Sequence, residues 1–167
     1  IGSGPGGLTQ SILETGANKL LDVDKDPRFF PILSELEKTF PNKLKVLIQD
    51  ALKVDLRTIV DSPLKIIANL PYQISTILLM KWLTEEICTT NCKSLTLMFQ
   101  KEVAERIIAR PGSKARSRIS LKTELFTNAK IVFNIPATCF IPRPKVDSSL
   151  LHFEVLSEPK YRFNPVK

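Results

Sequence analysis

Apolar residues in the first hundred positions follow two alternating rhythms. Lys19 to Val23, Lys45 to Gln49, Lys65 to Asn69 and Ser94 to Gln100 are short runs rich in aliphatic residues, and each reads as a strand. Between them, Leu8 to Thr15 is a helix closed by Gly16, and Pro27 to Phe40 carries Phe30, Leu33, Leu36 and Phe40 at helical spacing. A further helix runs from about Ile74 to Ile87. Alternation of this kind predicts a parallel sheet with helices on both faces. After residue 100 the rhythm changes. Two helical stretches, 101 to 110 and 118 to 128, precede two strands, 130 to 135 and 146 to 156, with no helix between the strands. They are expected to pair as an antiparallel hairpin connected by Pro136 to Lys145.

Composition narrows the class. The chain has 167 residues, 43% of them hydrophobic, which fits one globular domain. No window approaches the roughly 18 unbroken apolar residues of a membrane span, and Ile1-Gly2-Ser3-Gly4 is not a signal peptide. A soluble, cytoplasmic protein is expected. Cys88, Cys92 and Cys139 are odd in number and lack CxxC spacing, so neither a disulfide framework nor a zinc site is expected. With His152 as the only histidine, multi-histidine metal sites are excluded. His152 alternates with Leu151 and Phe153 on a strand, which places it on the less apolar face and away from catalysis.

Charge divides the chain. Residues 1 to 99 hold 11 basic and 11 acidic side chains, whereas residues 100 to 167 hold 13 basic and 6 acidic ones. The whole +7 excess therefore lies in the second part, the pattern of a neutral catalytic half joined to a half that faces a polyanion.

Three sets of residues carry chemistry. Gly2-Ser3-Gly4-Pro5-Gly6-Gly7 stands between the remnant of a strand and a helix, so its backbone can turn tightly and approach a nucleotide-type ligand at the helix N-terminus. The segment satisfies both GxGxxG and GxGxG and does not choose between a dinucleotide and S-adenosylmethionine. Asp22, twenty residues beyond Gly2, is expected to accept the ribose hydroxyls, while Asp24 and Asp26 read as solvated or capping residues ahead of Pro27. Asp50, in Gln49-Asp50-Ala51, lies at the same sheet edge within reach of an adenine amino group. The sharpest signal is Asn69-Leu70-Pro71-Tyr72, after the fourth strand counted from the glycine loop. An exocyclic adenine amine is a poor nucleophile because its lone pair is delocalised into the ring. The Asn69 side-chain oxygen and the Leu70 carbonyl can hold it toward tetrahedral geometry, Pro71 stiffens the turn, and Tyr72 offers a stacking face.

With these residues in place, the chain resembles the KsgA-type small-subunit ribosomal RNA adenine dimethyltransferases, relatives of the erythromycin-resistance enzymes. The resemblance rests on Ile1 to Thr9, Gln49 to Ala51, Asn69 to Ser75, Gln100 to Val103 and Phe140 to Ser148. It implies a Rossmann-like methyltransferase fold, a mostly parallel seven-stranded sheet with an antiparallel C-terminal hairpin, truncated at the N-terminal strand. The implied cofactor is S-adenosylmethionine, lined by Gly2, Gly4, Asp22, Asp50, Ala51 and Asn69. Asn69 to Tyr72 would hold the target base, and Phe140 would close on its opposite face. The implied partner is small-subunit rRNA within the small ribosomal subunit, methylated at two adjacent adenosines of the 3′-terminal hairpin, by a monomer that needs no metal. Lys101, Arg106, Arg110, Lys114, Arg116, Arg118 and Lys122, with Arg143 and Lys145 flanking the Phe140 loop, are expected to meet phosphates. By the same resemblance, residues 1 to 156 are an N-terminally truncated catalytic domain and 157 to 167 begin the linker to a C-terminal helical domain. The alternatives are a large-subunit rRNA methyltransferase of the resistance type, a non-catalytic rRNA-binding assembly factor, and an NAD-type oxidoreductase, which leaves Asn69 to Tyr72 unexplained.

Overall fold

The strands predicted near residues 20 and 45 form and pair in parallel. In the computed structural model, which describes residues 1–55, 63–84, 87 and 92–161, β1 (Leu20–Asp24) lies against β2 (Leu44–Ile48) with Asp22 beside Val46 and Asp24 beside Ile48. They belong to the first of two compact units, Ile1–Asp55 and Leu56–Lys167. In that first unit, α1 (Gly7–Glu14) buries Thr9 and Leu13, and Gly16 follows it with φ of 98°, the left-handed conformation that lets the chain turn out of a helix. The segment predicted as one helix from Pro27 divides into a 3-10 turn, Pro27–Phe29, and α2 (Phe30–Thr39), whose Leu33 is fully buried. The division follows from Asp26, whose carboxylate accepts the Arg28 N–H at 3.0 Å and caps the turn. Hydrogen bonding by Arg28 also holds the Asp26 carboxyl down at about 2.

The second unit contains a four-stranded sheet in the order β3-β4-β6-β5, where β3 is Leu64–Ala68, β4 Cys92–Gln100, β5 Thr127–Ile135 and β6 Ser148–Val155. β3 and β4 are parallel, and β6 runs antiparallel to both β4 and β5. The predicted hairpin is therefore present. The described residues hold six strands in two sheets. β4, flanked on both sides, is well buried, with Leu95, Leu97 and Phe99 at 1% exposure or less. Phe99 meets Phe153 of β6 edge-to-face at 6.4 Å, and the Thr96 hydroxyl and His152 Nδ1 bond across the strands at 2.9 Å. His152 is half-buried between the buried Leu151 and Phe153, on the less apolar face as expected.

Helices cover this sheet. α3 (Tyr72–Trp82) buries Leu78, Leu79 and Trp82, α4 (Lys101–Ile107) buries Ala104 and Ile107, and α5 (Arg118–Phe126) buries Ile119 and Phe126. α4 ends three residues before the predicted 110, and α5 passes into β5 at Thr127 without a loop, so β5 begins earlier than residue 130. The last part of the helix predicted to reach Ile87 includes residues 85 and 86, which lie outside the described residues, as do Cys88 and residues 162 to 167. Cys92 is buried, and burial pushes its thiol up to about 11, so it stays protonated and inert at neutral pH.

Candidate functional site

The glycine loop adopts the conformation its composition anticipates. Gly2, Gly4 and Gly6 have φ of 67°, 54° and 88°, all in the left-handed region that side chains with a Cβ rarely occupy. At Gly6 a Cβ would also meet Leu33 Cδ2 of α2 at 3.1 Å, so the turn and the helix packing both require glycine there. At Gly4 a Cβ would meet nothing within 4 Å, which means the loop leaves open space on that side. The Gly2 N–H donates to the Val23 carbonyl at 2.8 Å and the Gly6 N–H to the Ser3 carbonyl at 3.0 Å, fixing the loop over the carboxyl end of β1.

The acid at that end is Asp24. One of its carboxylate oxygens accepts the Gly4 N–H at 2.9 Å and the other accepts the Asp26 N–H at 2.9 Å. Asp22, expected to hold a ribose, is instead 1% exposed, and its carboxylate accepts the Thr9 hydroxyl of α1 at 2.6 Å. The two acids lie on the same face of β1, since alternate residues of a strand point the same way. Depth along the strand separates them: Asp22 sits midway, where Thr9 covers it, and Asp24 sits at the strand's end beside the loop. Of the two, Asp24 is the acid bonded to the loop backbone, while Asp22, the ribose candidate read from the sequence, is covered by Thr9. Asp50 follows β2, is half-buried, and accepts the Leu52 N–H at 2.9 Å, which fixes one oxygen and leaves the other for a ligand donor. Ala51 stands beside it, half-buried. The Gln49 N–H donates to the Asp24 carbonyl at 2.8 Å, so the Asp24 and Asp50 segments are tied at their bases.

These features fit an adenosylated cofactor carrying an amino-acid moiety. The turn presents backbone at open space, the Asp24 carboxylate lies beside it, and the buried Ser3 hydroxyl has no partner among the described residues. The predicted glycine positions, Gly2 and Gly4, both belong to this loop.

The second unit carries the Asn69-Leu70-Pro71-Tyr72 turn. β3 ends at Ala68, Asn69 is exposed, Leu70 is buried at 4%, and Tyr72 opens α3. The Pro71 carbonyl receives the Ile74 N–H at 3.0 Å and the Ser75 N–H at 3.2 Å, so proline ends the turn and begins the helix with no N–H of its own to satisfy. The Leu70 side chain anchors the turn in the core while Asn69 projects from it. Tyr72 is half-buried, and its hydroxyl lies 2.7 Å from that of Ser148. Ser148 pairs with Gln100 of β4, placing the start of β6 at the same sheet edge as the carboxyl ends of the parallel strands. The connection before it, residues 136 to 147, carries Phe140, which is half-buried after a 3-10 turn at Ala137–Cys139. The Asp147 carboxylate accepts the Ala137 N–H at 2.9 Å and closes this loop two residues later than predicted.

The basic residues separate into two groups. Lys101, Arg110, Lys114, Arg118, Arg143 and Lys145 are exposed. Arg106 is exposed as well, but it donates to Glu102 at 2.8 Å in an i,i+4 pair that water can readily compete with. Arg116 departs from expectation. Its guanidinium pairs with Glu124 at 2.5 Å and donates to the Ala109 carbonyl at 3.2 Å, with only 20% of the side chain exposed. It pins the 108–117 connection to α5, and its charge is spent inside the protein. The same bond holds the Glu124 carboxyl below its ordinary range. Lys122 is likewise directed inward, onto the Met80 carbonyl in the last turn of α3 at 3.4 Å, where the helix dipole favours a cation. Among the described residues no group of three metal-ligating side chains occurs, and no helix is long and apolar enough to cross a membrane.

The sequence did not show the hydrogen bonds made by Asp24, Asp147 and Ser148. Asp24 had a readable signal, since it stands two residues beyond Asp22 and directly ahead of the capped turn at Asp26. The other two act through residues distant in sequence.

Comparison with known proteins gives concordant matches. The family described as ribosomal RNA adenine dimethylase matches residues 1–162. The chain is similar to ribosomal RNA small subunit methyltransferase A of Jannaschia sp. (46% identity over 161 residues, 96% of this chain and 56% of the relative). The corresponding protein of Roseobacter denitrificans is 45% identical over 165 residues, 99% of this chain and 59% of the relative. Among solved structures, a dimethyladenosine transferase from Plasmodium falciparum superimposes with a TM-score of 0.79 at 33% identity, covering 93% of this chain and 54% of that one. The 23S rRNA methyltransferase ErmE superimposes with a TM-score of 0.78 at 25% identity, covering 97% of this chain and 62% of that one. The chain thus spans a little over half the length of the curated relatives it matches.

Proposed function

Because the chain belongs to the ribosomal RNA adenine dimethylase family, we propose that it is the catalytic part of an enzyme that dimethylates N6 of two adjacent adenosines in the 3′-terminal hairpin of small-subunit rRNA. The observation that carries this reading is the Asn69-Leu70-Pro71-Tyr72 turn, with Asn69 projecting from the end of β3 and an aromatic ring opening the next helix.

S-adenosylmethionine, when bound, supplies an electrophilic methyl group on a sulfonium. Gly2 and Gly4 would line its methionine part, Asp24 would accept its ribose hydroxyls, and Asp50 with Ala51 would take its adenine. The task of the second unit is to present the amine. The Asn69 side-chain oxygen and the Leu70 carbonyl accept the two N–H bonds of adenine N6, draw its lone pair out of conjugation, and aim it. On taking up the methyl group that the cofactor would supply, with sulfur keeping the electron pair as a neutral thioether, N6 would release its proton to solvent. The acceptors, being uncharged, need no shifted pKa. A once-methylated amine retains one N–H, so one acceptor suffices to orient it for the second transfer. Tyr72 and Phe140 would sandwich the base after it leaves the RNA stack. Lys101, Arg110, Lys114, Arg118, Arg143 and Lys145 would contact phosphates, which position RNA without reading its sequence. The protein acts as a cytoplasmic monomer on the small ribosomal subunit in this reading.

The test is transfer of labelled methyl groups to undermethylated ribosomal subunits by the protein in its full natural length. Label is expected in small subunits and not in large ones. Label confined to large subunits favours the resistance-type activity, and RNA binding with no transfer to either favours an assembly factor.

A further inference from the structure

The bond between the Tyr72 and Ser148 hydroxyls joins residues 76 positions apart, and the amine chemistry leaves it unexplained. A phenylalanine at position 72 would offer the same stacking face. The tyrosine hydroxyl is instead directed 2.7 Å from the oxygen of a residue with 0% exposure.

Ser148 is well built to be a fixed reference. It begins β6 and stands in register with Gln100 of β4 on one side and Ile135 of β5 on the other, so its backbone is held from both neighbours. The adjacent Asp147 accepts the Ala137 N–H through its carboxylate at 2.9 Å and the Lys101 N–H through its carbonyl at 2.9 Å. The Ala137 carbonyl in turn receives the Phe140 N–H at 3.3 Å. Two consecutive residues therefore tie down both aromatic elements. Ser148 holds the Tyr72 ring, and Asp147 closes the loop that carries Phe140. Without the hydroxyl bond, rotation about the tyrosine side-chain torsions would move the ring relative to that loop.

We propose that Ser148 is a positioning residue that, with Asp147, sets the spacing between Tyr72 and Phe140 for a single flipped base. The inference rests on the reading of Asn69 to Tyr72 as the target-base site. A residue that positions the clamp acts once the base is out of the stack, so it governs turnover and the flipped fraction and leaves cofactor binding untouched.

The experiment uses the protein in its full natural length with an RNA hairpin carrying 2-aminopurine at the target adenosine for fluorescence, and unmodified RNA for turnover. Ser148→Ala, Tyr72→Phe and the double variant are compared with wild type. Each single variant should lower kcat and the 2-aminopurine emission gained on binding about threefold to tenfold, the range of one net hydrogen bond. The KM for cofactor should stay constant, and the double variant should lose no more than either single one, because all three remove one bond. Wild-type turnover in Tyr72→Phe, which leaves the buried serine in place, overturns the proposal even if Ser148→Ala fails to fold. Multiplicative losses in the double variant also overturn it. A wild-type protein that neither flips nor methylates adenosine overturns the reading of the site, and the inference with it.

Discussion

Replacing Asp24 by asparagine removes one charge and one acceptor from the glycine loop while keeping shape. At present its two carboxylate oxygens each receive a backbone N–H at 2.9 Å, from Gly4 and from Asp26. An asparagine has one acceptor oxygen, so its amide nitrogen must face one of these donors. A hydrogen bond to a charged group contributes about 1.5–3 kcal/mol, and losing one from the loop should weaken cofactor binding roughly 10- to 150-fold. Loss of the charge for the ribose hydroxyls adds to this. Asp22→Asn is the matched control. Its oxygen can still accept the Thr9 hydroxyl, now 2.6 Å from the carboxylate, and its 1% exposure keeps it from a ligand. Cofactor affinity should then change less than about threefold, with the effect confined to stability because a buried charge-assisted bond becomes a neutral one. Isothermal titration with S-adenosylhomocysteine measures the first effect and thermal melting the second. If Asp22→Asn weakens binding as strongly as Asp24→Asn with the melting temperature unchanged, the exchange of roles between the two acids is wrong.

Asn69→Ala should lower kcat about 100-fold or more, the scale of removing one preorganised transition-state contact, with little change in RNA affinity; single-turnover methyl transfer measures it. Lys114→Ala should reduce the slope of log affinity against log salt by roughly 0.7–0.9, as expected for one lost phosphate contact in a salt titration of RNA binding. Arg116→Ala should leave that slope unchanged and lower stability by about 1 kcal/mol, or roughly 2–4 °C in a melt, because its guanidinium is engaged with Glu124 and the Ala109 carbonyl. Glu124 has its carboxyl held below the ordinary value by Arg116, so the native state binds fewer protons than the unfolded one across that window. The pair's contribution is complete above the ordinary glutamate pKa, near about 4.3, and fades as pH falls through the lowered value. Melting temperatures from pH 6 to pH 3 should show wild type losing its advantage over Glu124→Gln.

Legibility in the sequence followed the range of the interaction that decides each feature. Periodicity located β1, β2, β3, β4 and α1 to within a few residues, since each is set by which side chains must be buried. It failed at the α5–β5 junction, where Phe126 passes to Thr127 with no glycine or proline to mark the change. It also failed to separate Asp22 from Asp24, because both occupy one face of β1 and only Thr9, on another element, covers the first. The glycine loop and the Asn69 to Tyr72 turn were readable because their chemistry is local. The pairing of Arg116 with Glu124 spans a loop and a helix start, and no fixed spacing announces it. Ser148 is the extreme case, defined by a partner 76 residues away.

We propose that the residues from Asn69 to Tyr72 present adenine N6 for two successive methyl transfers in the 3′-terminal hairpin of small-subunit rRNA. Nucleoside mass spectrometry of that hairpin, excised from undermethylated small subunits after incubation with the protein and S-adenosylmethionine, tests it most directly. N6,N6-dimethyladenosine is expected at two adjacent positions with wild type and is expected to be nearly absent with Asn69→Ala. Unmodified adenosine in the hairpin with wild type, or equal dimethylation by the Asn69 variant, would contradict it.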